Sequence, residues 1–472
     1  MKQIFLASTF FELVCLAAGI DSGAYDTRVL PAVLRTPGDP PARQPLGISE
    51  RILLVSNNAL VLEQATPLVD TPGAAALLSR FDRVLDVNAL IGPQHPSAWQ
   101  PAESDLPMLQ RLIRTAWDLG DGEIELVLES PQVNPAIALS RVFSEAFIRV
   151  HADGLMSYGP TRSRIPLSMG QRLTELTYLP LVEGLRPLLL REFDIHPEPI
   201  PADAFTAVVA ELADALDSEV SALLTEVRGE DTAFAVGQYL SALGLITFEE
   251  EESLHLAMIE RAARAGCTTV VFKPHPAAPH SARAVLQAAA AERGITLRIV
   301  DSPLIAEVLL HRLAPRLVVG VFSTALATAR AIYGIPTATV GTDLLLERIA
   351  PYQNSNRVPL TIVDHLSRSG TGQLAPAEAS RLQELIEAVA YCMQPLIASD
   401  LRPVAQNVLA LVAGTPEMRY FKKRRLMKLA LPGGLRPTRN PKTIARRLGG
   451  VGYRLGKHRF ESSVLSRREK RR

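Results

Sequence analysis

The 472-residue sequence has few of the residues that build metal centres and disulfide frameworks. Its three cysteines, Cys15, Cys267 and Cys392, are widely spaced and form neither a metal-ligand pair nor a disulfide pattern. Such cysteine usage is typical of a reducing compartment, so a cytoplasmic location is predicted. A chain of this length exceeds what one hydrophobic core supports, and two or three domains are therefore expected.

Several sequence motifs of nucleotide and metal chemistry are also missing. There is no G-x-G-x-x-G fingerprint and no Walker-type loop, which argues against a dinucleotide enzyme or an NTPase. No Asp-x-Asp occurs and no His/Cys cluster has metal-ligand spacing, so neither a metal nor a cofactor is predicted. No run approaches the ~18 uncharged apolar residues of a membrane span. The apolar start is interrupted by Ser8, Thr9 and Glu12, and is interpreted as a strand, a turn and a helix rather than a signal peptide.

The charge of the chain is distributed unevenly. Residues 417–472 hold 19 Lys and Arg against 3 Asp and Glu, a charge of +16. The other 416 residues hold 31 against 46, a charge of −15. Basic residues at 417–429 are interleaved with Phe, Met and Leu, which predicts a helix that binds the anionic inner surface of a membrane. A solvated, disordered tail is the alternative.

Short β-rich runs alternate with helical periodicity along most of the chain. This alternation predicts parallel sheets covered by helices on both faces. A Pro-rich, acidic stretch at 194–203 is interpreted as a linker, followed by a long helical stretch at 204–227 and a last helix at 376–411. Strands are predicted at 3–7, 51–55, 83–87, 124–128 and 147–151, and after the linker at 233–236, 269–272, 296–300, 317–321 and 337–340.

The predicted fold class is α/β, with two Rossmann-like, doubly wound parallel-sheet domains that face a cleft, and a basic C-terminal tail. In such sheets, ligands bind beyond the carboxyl ends of the strands. A single polar cluster there is often only a helix cap or a turn. Recurrence of such clusters in both halves predicts a binding site, with candidate residues at the strand ends: Ser8, Thr9, Asn57, Asn58, Gln132, Asp153, Gln238, Lys273, His275, Ser323 and Thr324.

The stretch KPHP at 273–276 ends an apolar strand with a cation and an imidazole. Pro274 and Pro276 restrict the backbone on both sides of His275. Ser323 and Thr324 begin a helix whose free N–H groups and dipole suit a phosphate. A phosphate contact from His275, which could also deliver a proton, is therefore predicted beside these hydroxyls, and no metal would be obligatory.

Asp153 is expected to face the same cleft from the first domain. A carboxylate at this position could accept a proton from a sugar hydroxyl, as a general base must. Gly154, the next residue, would let a substrate approach the backbone closely.

Three of these motifs, in this order, resemble those of the bacterial polysialyltransferase-like family, within the wider set of GT-B sialyltransferases. They are HADG at 151–154, KPHP at 273–276 and FST at 322–324. Longer strings are similar to the actinobacterial branch of the family. These are QIFLAST, LLVSNNA, ADGLMSYGPTR, GQYLS and LLLERIAPYQNSNRVP, and the likeness covers about residues 1–412.

The resemblance implies transfer of sialic acid, or a related nonulosonic acid, from a CMP-activated donor such as CMP-sialic acid to a glycan or lipid-linked acceptor, in capsule or cell-surface polysaccharide biosynthesis. Asp153 would be the general base and His275 would contact the CMP phosphate. Donor binding would involve Lys273, Pro276, Ser323, Thr324, Gln238, Ser8 and Thr9, with Glu307 on the ribose. Acceptor-side residues would be Asn57, Asn58, Gln132 and Tyr158.

The domains would be 1–195 (acceptor side), 196–228 (linker and helix), 229–412 (donor side) and 413–472 (a partly disordered tail).

The sequence departs from the family motifs at two positions. Ala152 stands where the family has its first acidic residue, and Thr324 is the second hydroxyl of its motif. The first departure leaves open which acceptor is used and whether a polymer is made.

Two other functions remain compatible with these motifs. A CDP-glycerol or polyol-phosphate transferase of the teichoic acid type also uses His-Pro and Ser-Ser-type motifs with a cytidine nucleotide. A non-catalytic glycan-binding relative is the second alternative. Nucleic-acid binding is not predicted, because the acidic body shows no basic face.

Overall fold

The computed structural model describes residues 1–35, 42–59, 66–275, 283–370 and 374–435. Its residues form two units, Met1–Tyr420 and Phe421–Arg472. The first unit contains both large sheets. The second, as far as it is described, contains one short helix, α17 (Lys423–Lys428), in which Leu426 is buried.

The first sheet has seven parallel strands in the order β5-β4-β1-β6-β7-β8-β9. Its strands are β1 (Lys2–Ala7), β4 (Glu50–Val55), β5 (Arg83–Asp86), β6 (Ile124–Leu128), β7 (Phe147–Ala152), β8 (Leu173–Tyr178) and β9 (His196–Pro199). A small antiparallel pair, β2 (Thr27–Val29) and β3 (Arg43–Pro45), lies beside β8. The associated helices are α1 (Phe10–Asp21), α2 (Ala74–Leu78), α3 (Val87–Ile91), α4 (Leu106–Ala116), α5 (Ala136–Val142) and α6 (Leu167–Gly170).

The second sheet has five parallel strands in the order β12-β11-β10-β13-β14. These are β10 (Thr232–Val236), β11 (Thr269–Lys273), β12 (Thr296–Ile299), β13 (Leu317–Gly320) and β14 (Thr337–Thr339). The helices before and around it are α7 (Ala202–Ala215), α8 (Asp217–Leu223), α9 (Phe248–Arg264), α10 (Arg283–Glu292), α11 (Ala306–Leu313), α12 (Thr324–Ala331), α13 (Thr342–Arg348) and α14 (Arg357–Ser369). Two further helices, α15 (Pro376–Met393) and α16 (Arg402–Leu411), follow.

Together the two parallel-sheet α/β domains confirm the predicted GT-B-like fold class. Each of the ten predicted strands is present, with ends that differ by one residue or fewer. The sequence reading missed β8, whose six residues are all buried even though Thr174, Glu175 and Thr177 are polar. It also missed β9, which carries two prolines at the edge of the sheet, where a missing N–H donor is tolerated.

Three segments differ from the prediction. The stretch 194–203 contains β9, which pairs with β8, so part of the predicted linker belongs to the first sheet. The helical stretch 204–227 is two helices, α7 and α8, that meet at Leu216. The last helix at 376–411 is also two, because α15 ends at Met393 and α16 begins at Arg402.

The start of the predicted tail packs with the body of the first unit. The Tyr420 ring is 1% exposed, and its hydroxyl donates to Asp364 Oδ2 at 2.8 Å. The Tyr352 hydroxyl in turn donates to the Tyr420 carbonyl at 3.0 Å. The division into four domains stays a prediction, but residues up to 420 are thereby part of the globular unit. Within the part of the chain that the structure describes, none of the helices is both long and apolar enough to cross a membrane.

The interior of the first sheet contains a buried charged cluster. Gln3, Glu125, Arg149 and Glu175 come from four adjacent strands and are all 0% exposed. Arg149 lies 2.8 Å from Glu175 Oε2 and 3.6 Å from Glu125 Oε1, and the Gln3 amide donates to Glu125 Oε2 at 2.8 Å. The guanidinium also donates to the carbonyls of Ala24 and Thr27. The charges are therefore paired, as burial requires.

Candidate active site

Each sheet has one topological switch point, the place at which doubly wound sheets bind ligands. In the first sheet this point lies between β1 and β6, and in the second between β10 and β13. The predicted motifs follow the strands at or next to these points. HADG begins with the last two residues of β7, beside β6, and KPHP begins with the last residue of β11, beside β10.

The motif at the end of β7 meets the motif at the start of α12. A Cβ atom placed on Gly154 would lie 3.2 Å from Thr324 Oγ1. Glu307 on α11, in the second domain, is close enough to raise the pKa of Asp153 in the first. Asp153 and Gly154 at the end of β7 therefore lie beside Thr324 and near Glu307 of the second domain.

Asp153 has an electrostatic environment suited to accepting a proton near neutral pH. Burial raises the pKa of its carboxyl to about 7, and the charges of Glu129 and Glu307 add to that effect. A general base works best when its pKa lies near the working pH. The environment of Asp153 thus agrees with the predicted role without testing it.

Two further carboxyl groups, which the sequence reading did not select, lie at the first switch point. Glu12 on α1 is 2% exposed, and Glu129 follows β6. The two carboxyl groups lie close enough for each to affect the pKa of the other. Burial raises the pKa of both, and the charge of Asp153 contributes to the shift at Glu12. A possible signal for Glu12 was the Thr-x-x-Glu spacing of a capping box.

Ser8 and Thr9, both predicted to bind donor, are engaged by Glu12. The N–H groups of Ser8 and Thr9 donate to Glu12 Oε2 at 2.6 and 3.1 Å. The Thr9 hydroxyl accepts from the Glu12 N–H, which completes a capping box at the start of α1. In this structure, Ser8 and Thr9 therefore make the contacts of a helix cap, which was the alternative to donor binding.

Lys273 and His275 form the basic part of the site. Lys273 is 6% exposed, and its ammonium donates to the Ser302 carbonyl at 2.8 Å. Burial lowers the pKa of Lys273 to about 8, against the opposing effect of Glu307. Burial and the Lys273 charge together lower the pKa of His275 to about 4. At neutral pH the imidazole is therefore neutral and has a single N–H to donate.

Ser323 is the N-cap of α12, since its hydroxyl accepts from the Ala325 N–H at 3.3 Å. Gln238, after β10, accepts from the Phe322 N–H at 3.2 Å. This hydrogen bond connects the two strand ends that border the second switch point. Ser323 and Thr324 thus begin α12 beside Gln238, and the phosphate contact at this helix N-terminus stays a prediction.

Glu307 is buried near the start of α11. It is 4% exposed, and its Oε1 accepts from the Thr328 hydroxyl at 2.8 Å. Burial raises the pKa of Glu307, while the Thr328 hydrogen bond and Lys273 oppose that shift. The carboxyl group is held in place by α12, the helix that carries the hydroxyl motif.

Three of the predicted acceptor-side residues mainly stabilise loops. Asn57 Oδ1 accepts from the Ala59 N–H, and Asn58 Oδ1 accepts from the Ser56 hydroxyl. Gln132 Oε1 accepts from the N–H groups of residues 162 and 163, at 2.7 and 2.9 Å. These contacts leave the predicted roles untested.

The position of Tyr158 does not fit an acceptor contact. The residue is 0% exposed, and its hydroxyl accepts from the N–H groups of Leu181 and Val182 at 3.1 and 3.2 Å. Its ring packs edge-on against Tyr178. Tyr158 was predicted to lie on the acceptor side, whereas its hydroxyl accepts from two N–H groups of a buried segment.

Pro276 lies outside the described residues. Among the residues that the structure does describe, no group of three or more His, Cys, Asp or Glu side chains is arranged to hold a metal ion. Whether the reaction needs a metal stays a prediction.

Two parallel-sheet α/β domains define a GT-B-like fold. The family model described as alpha-2,8-polysialyltransferase (POLYST) matches residues 41–342, well over half of the chain. The chain belongs to this family. No curated protein sequence matches it significantly.

Solved structures with a similar fold include proteins with different activities. The GT-B domain of a sialyltransferase from Photobacterium damselae is 13% identical, covers 80% of this chain and 99% of its own length, and has a TM-score of 0.42. A putative UDP-N-acetylglucosamine 2-epimerase from Listeria monocytogenes is 11% identical, with coverages of 84% and 97% and a TM-score of 0.39. The UDP-GlcNAc 2-epimerase from Neisseria meningitidis, bound to UDP-GlcNAc, is 10% identical, with coverages of 82% and 99% and a TM-score of 0.40. Because the TM-scores are below 0.5, these structural similarities do not indicate an activity for this chain.

Proposed function

We propose that this enzyme transfers sialic acid, or a related nonulosonic acid, from a CMP-activated donor to a hydroxyl group of a glycan acceptor. The observation that carries the proposal is the meeting of Asp153-Gly154 with Thr324 at one site. It puts a carboxylate suited to accept a proton opposite a helix N-terminus suited to bind phosphate.

In this reaction the acceptor hydroxyl oxygen forms a bond to the anomeric carbon of the donor sugar. The bond between that carbon and the CMP phosphate oxygen breaks, and CMP leaves with the electron pair. Asp153 accepts the hydroxyl proton, for which its pKa of about 7 is suitable.

The leaving phosphate gains negative charge, which the second domain can stabilise. Lys273, with a pKa of about 8, stays mostly protonated at pH 7 and supplies a positive charge. The neutral His275 imidazole donates one hydrogen bond, and Ser323, Thr324 and the start of α12 add further donors. Such donors act most strongly in a site with little water. No metal is required by this scheme, and nucleotide release is expected to continue in EDTA.

The remaining parts of the proposal concern substrate binding. Glu307, held by Thr328, would accept hydrogen bonds from the donor ribose hydroxyls. Gln238 would border the phosphate, and Asn57, Asn58 and Gln132 would lie toward the acceptor. The basic segment after residue 417 would bind an anionic inner-membrane surface and bring the enzyme to a lipid-linked acceptor. A role in capsule or cell-surface polysaccharide synthesis would follow.

The test is nucleotide release and calorimetric binding with CMP-sialic acid, CDP-glycerol, a UDP-sugar and a GDP-sugar, with a short sialic-acid oligosaccharide as acceptor. Of these four donors, we expect only CMP-sialic acid to bind and to release its nucleotide, CMP. Asp153→Asn should lower transfer by about 10²- to 10⁴-fold while CMP binding is kept, because only the proton acceptor is lost. His275→Ala should lower CMP release by about 10²- to 10³-fold, because one hydrogen-bond donor to the leaving phosphate is lost. Asp70→Asn, a substitution of an exposed aspartate, is the matched control.

Two outcomes would contradict the proposal. Preference for CDP-glycerol, with phosphate carried into the product, would assign the enzyme to polyol-phosphate transfer. Binding of a glycan without binding of any nucleotide, unchanged in Asp153→Asn and His275→Ala, would make this chain a glycan-binding member of the family.

A further inference from the structure

The loop after β10, residues 237–241, lies directly against the end of β11. The Gly237 N–H donates to the Lys273 carbonyl at 2.9 Å. A Cβ atom at Gly237 would lie 2.9 Å from the Phe272 ring and 3.1 Å from Pro274 Cα, so a larger residue does not fit without movement. The absence of a side chain at 237 therefore allows the close approach of this loop to the histidine motif.

This approach brings the ring of Tyr239 onto the imidazole of His275. The two ring centroids are 4.0 Å apart, and the ring planes are inclined by 39°. Contact at this distance restricts rotation of the imidazole about its Cβ–Cγ bond. Pro274 restricts the backbone beside the histidine, and the Tyr239 ring adds a constraint on the side chain itself.

The loop is anchored on both sides of Tyr239. Before it, Gln238 Oε1 accepts from the Phe322 N–H at the start of the hydroxyl motif. After it, the carboxylate of Glu251 on α9 accepts from the Leu240 N–H and from the Ser241 hydroxyl. Glu251 is 6% exposed, so these bonds form away from bulk water. The tyrosine ring is thus supported at a fixed place rather than carried by a free loop.

We propose that Tyr239 is a positioning residue that holds the His275 imidazole in the direction of the donor phosphate, and that Glu251 supports it by fixing loop 237–241. The inference rests on the proposed function, because it concerns the same phosphate contact. A neutral imidazole has one N–H, and a hydrogen bond from it weakens steeply when the angle is poor. Orientation therefore determines whether His275 can stabilise the leaving group.

The kinetic test measures CMP release from CMP-sialic acid for Tyr239→Ala and Tyr239→Phe, each in the wild-type and the His275→Ala backgrounds. Tyr239→Ala should lower kcat by about 10- to 100-fold with a smaller change in KM, since misplacing a reacting group has effects of this size. Tyr239→Phe keeps the ring and should retain kcat. In the His275→Ala background, Tyr239→Ala should cause no further loss, because both substitutions remove one function.

Glu251→Gln should give a smaller loss of kcat in the same direction, since an amide offers only one acceptor oxygen to the loop. Glu252→Gln, on the same helix and without a contact to loop 237–241, is the matched control and should not change kcat. If Tyr239→Ala fails to fold, Tyr239→Leu removes the aromatic ring with less loss of volume.

A readout independent of activity is the NMR signal of the His275 Cε1–H group, assigned as the signal that His275→Ala removes. A neighbouring aromatic ring shifts this signal, so it should move in Tyr239→Ala and stay nearly unchanged in Tyr239→Phe. An unchanged signal in Tyr239→Ala would overturn the inference, as would an equal loss of kcat in both backgrounds. If His275→Ala itself releases CMP at the wild-type rate, the proposed function fails instead, and the NMR signal still shows whether the ring contact exists.

Discussion

The two sheets differ both at their carboxyl ends and in their interiors. The first presents Asp153, Glu12 and Glu129 at the site, whereas the second presents Lys273 and His275. Burial favours the neutral form of every one of these groups, so it raises the pKa of the acids and lowers the pKa of the bases. One physical cause therefore prepares a proton acceptor on one side and an uncharged hydrogen-bond donor on the other.

The interiors show a second difference. The first sheet buries the ion cluster around Arg149, while the central strands of the second bury mainly apolar side chains such as Phe234, Val271 and Val319. Buried ion pairs are costly to desolvate. Removing only one partner leaves an unpaired buried charge, which lowers the stability of a protein more than the loss of a surface pair does. The first sheet should thus be the more sensitive of the two to a change of charge.

The largest expected effect comes from Arg149→Met. Glu125 would lose its cation and Glu175 would keep only Arg43, so the free energy of unfolding should fall by about 3–5 kcal/mol. The measurement is urea unfolding followed by circular dichroism. Arg264→Met breaks an exposed pair with Glu260 on α9 of the second domain, and should cost less than about 1 kcal/mol. Equal losses in the two variants would remove the distinction between the sheets.

An intermediate effect is expected from Lys273→Met, which removes the cation from the second sheet edge. The dissociation constant for CMP should rise by about 10- to 100-fold, since a charged hydrogen bond to phosphate contributes roughly 1.5–3 kcal/mol. The pKa of His275 should rise, because the Lys273 charge is one of the two causes that lower it. Calorimetric titration with CMP at several pH values measures the dissociation constant and its dependence on the pKa of His275. The control is Lys423→Met, a substitution of an exposed lysine. Unchanged affinity would place the phosphate elsewhere.

The smallest expected effect is a shift in pH dependence. Asp153 must be deprotonated to act as a base, so kcat/KM should rise with pH through about 7. Glu129→Gln removes a negative charge that raises the pKa of Asp153, and the acid limb should move to lower pH by less than about one unit. The shift is small because burial, which is the larger cause of the raised pKa of Asp153, is unchanged in this variant. Exposed Glu384→Gln should leave the limb in place, and a shift of the Glu129→Gln limb to higher pH would contradict this account.

Much of the fold could be predicted because its signals are local. An apolar, β-rich run such as Thr269–Lys273 is recognisable within five residues, and the prolines that come after it in the sequence mark its end. Glu175 lies in β8, a strand that was missed because this buried carboxylate is paired with cations from distant parts of the chain. One of these partners is Arg149 on the neighbouring strand.

The site could be predicted in outline for a related reason. Parallel topology brings all strand ends to one edge, so Asp153, His275 and Ser323 could be grouped before any contact was known. Tyr158 was placed wrongly because a string of residues does not show which side chains are buried. Tyr239 was passed over because its ring contact with His275 joins residues from two different strand ends.

The sequence alone determined ten of the strands, the motifs that end them and the family, since these depend on periodicity and on residue types close together in the chain. Tertiary structure alone decided that burial and neighbouring charges raise the pKa of Asp153 to about 7, and that the Tyr239 ring lies on His275. A pKa depends on desolvation and on neighbouring charges, and an orientation depends on packing. Both arise from groups that are brought together only when the chain folds.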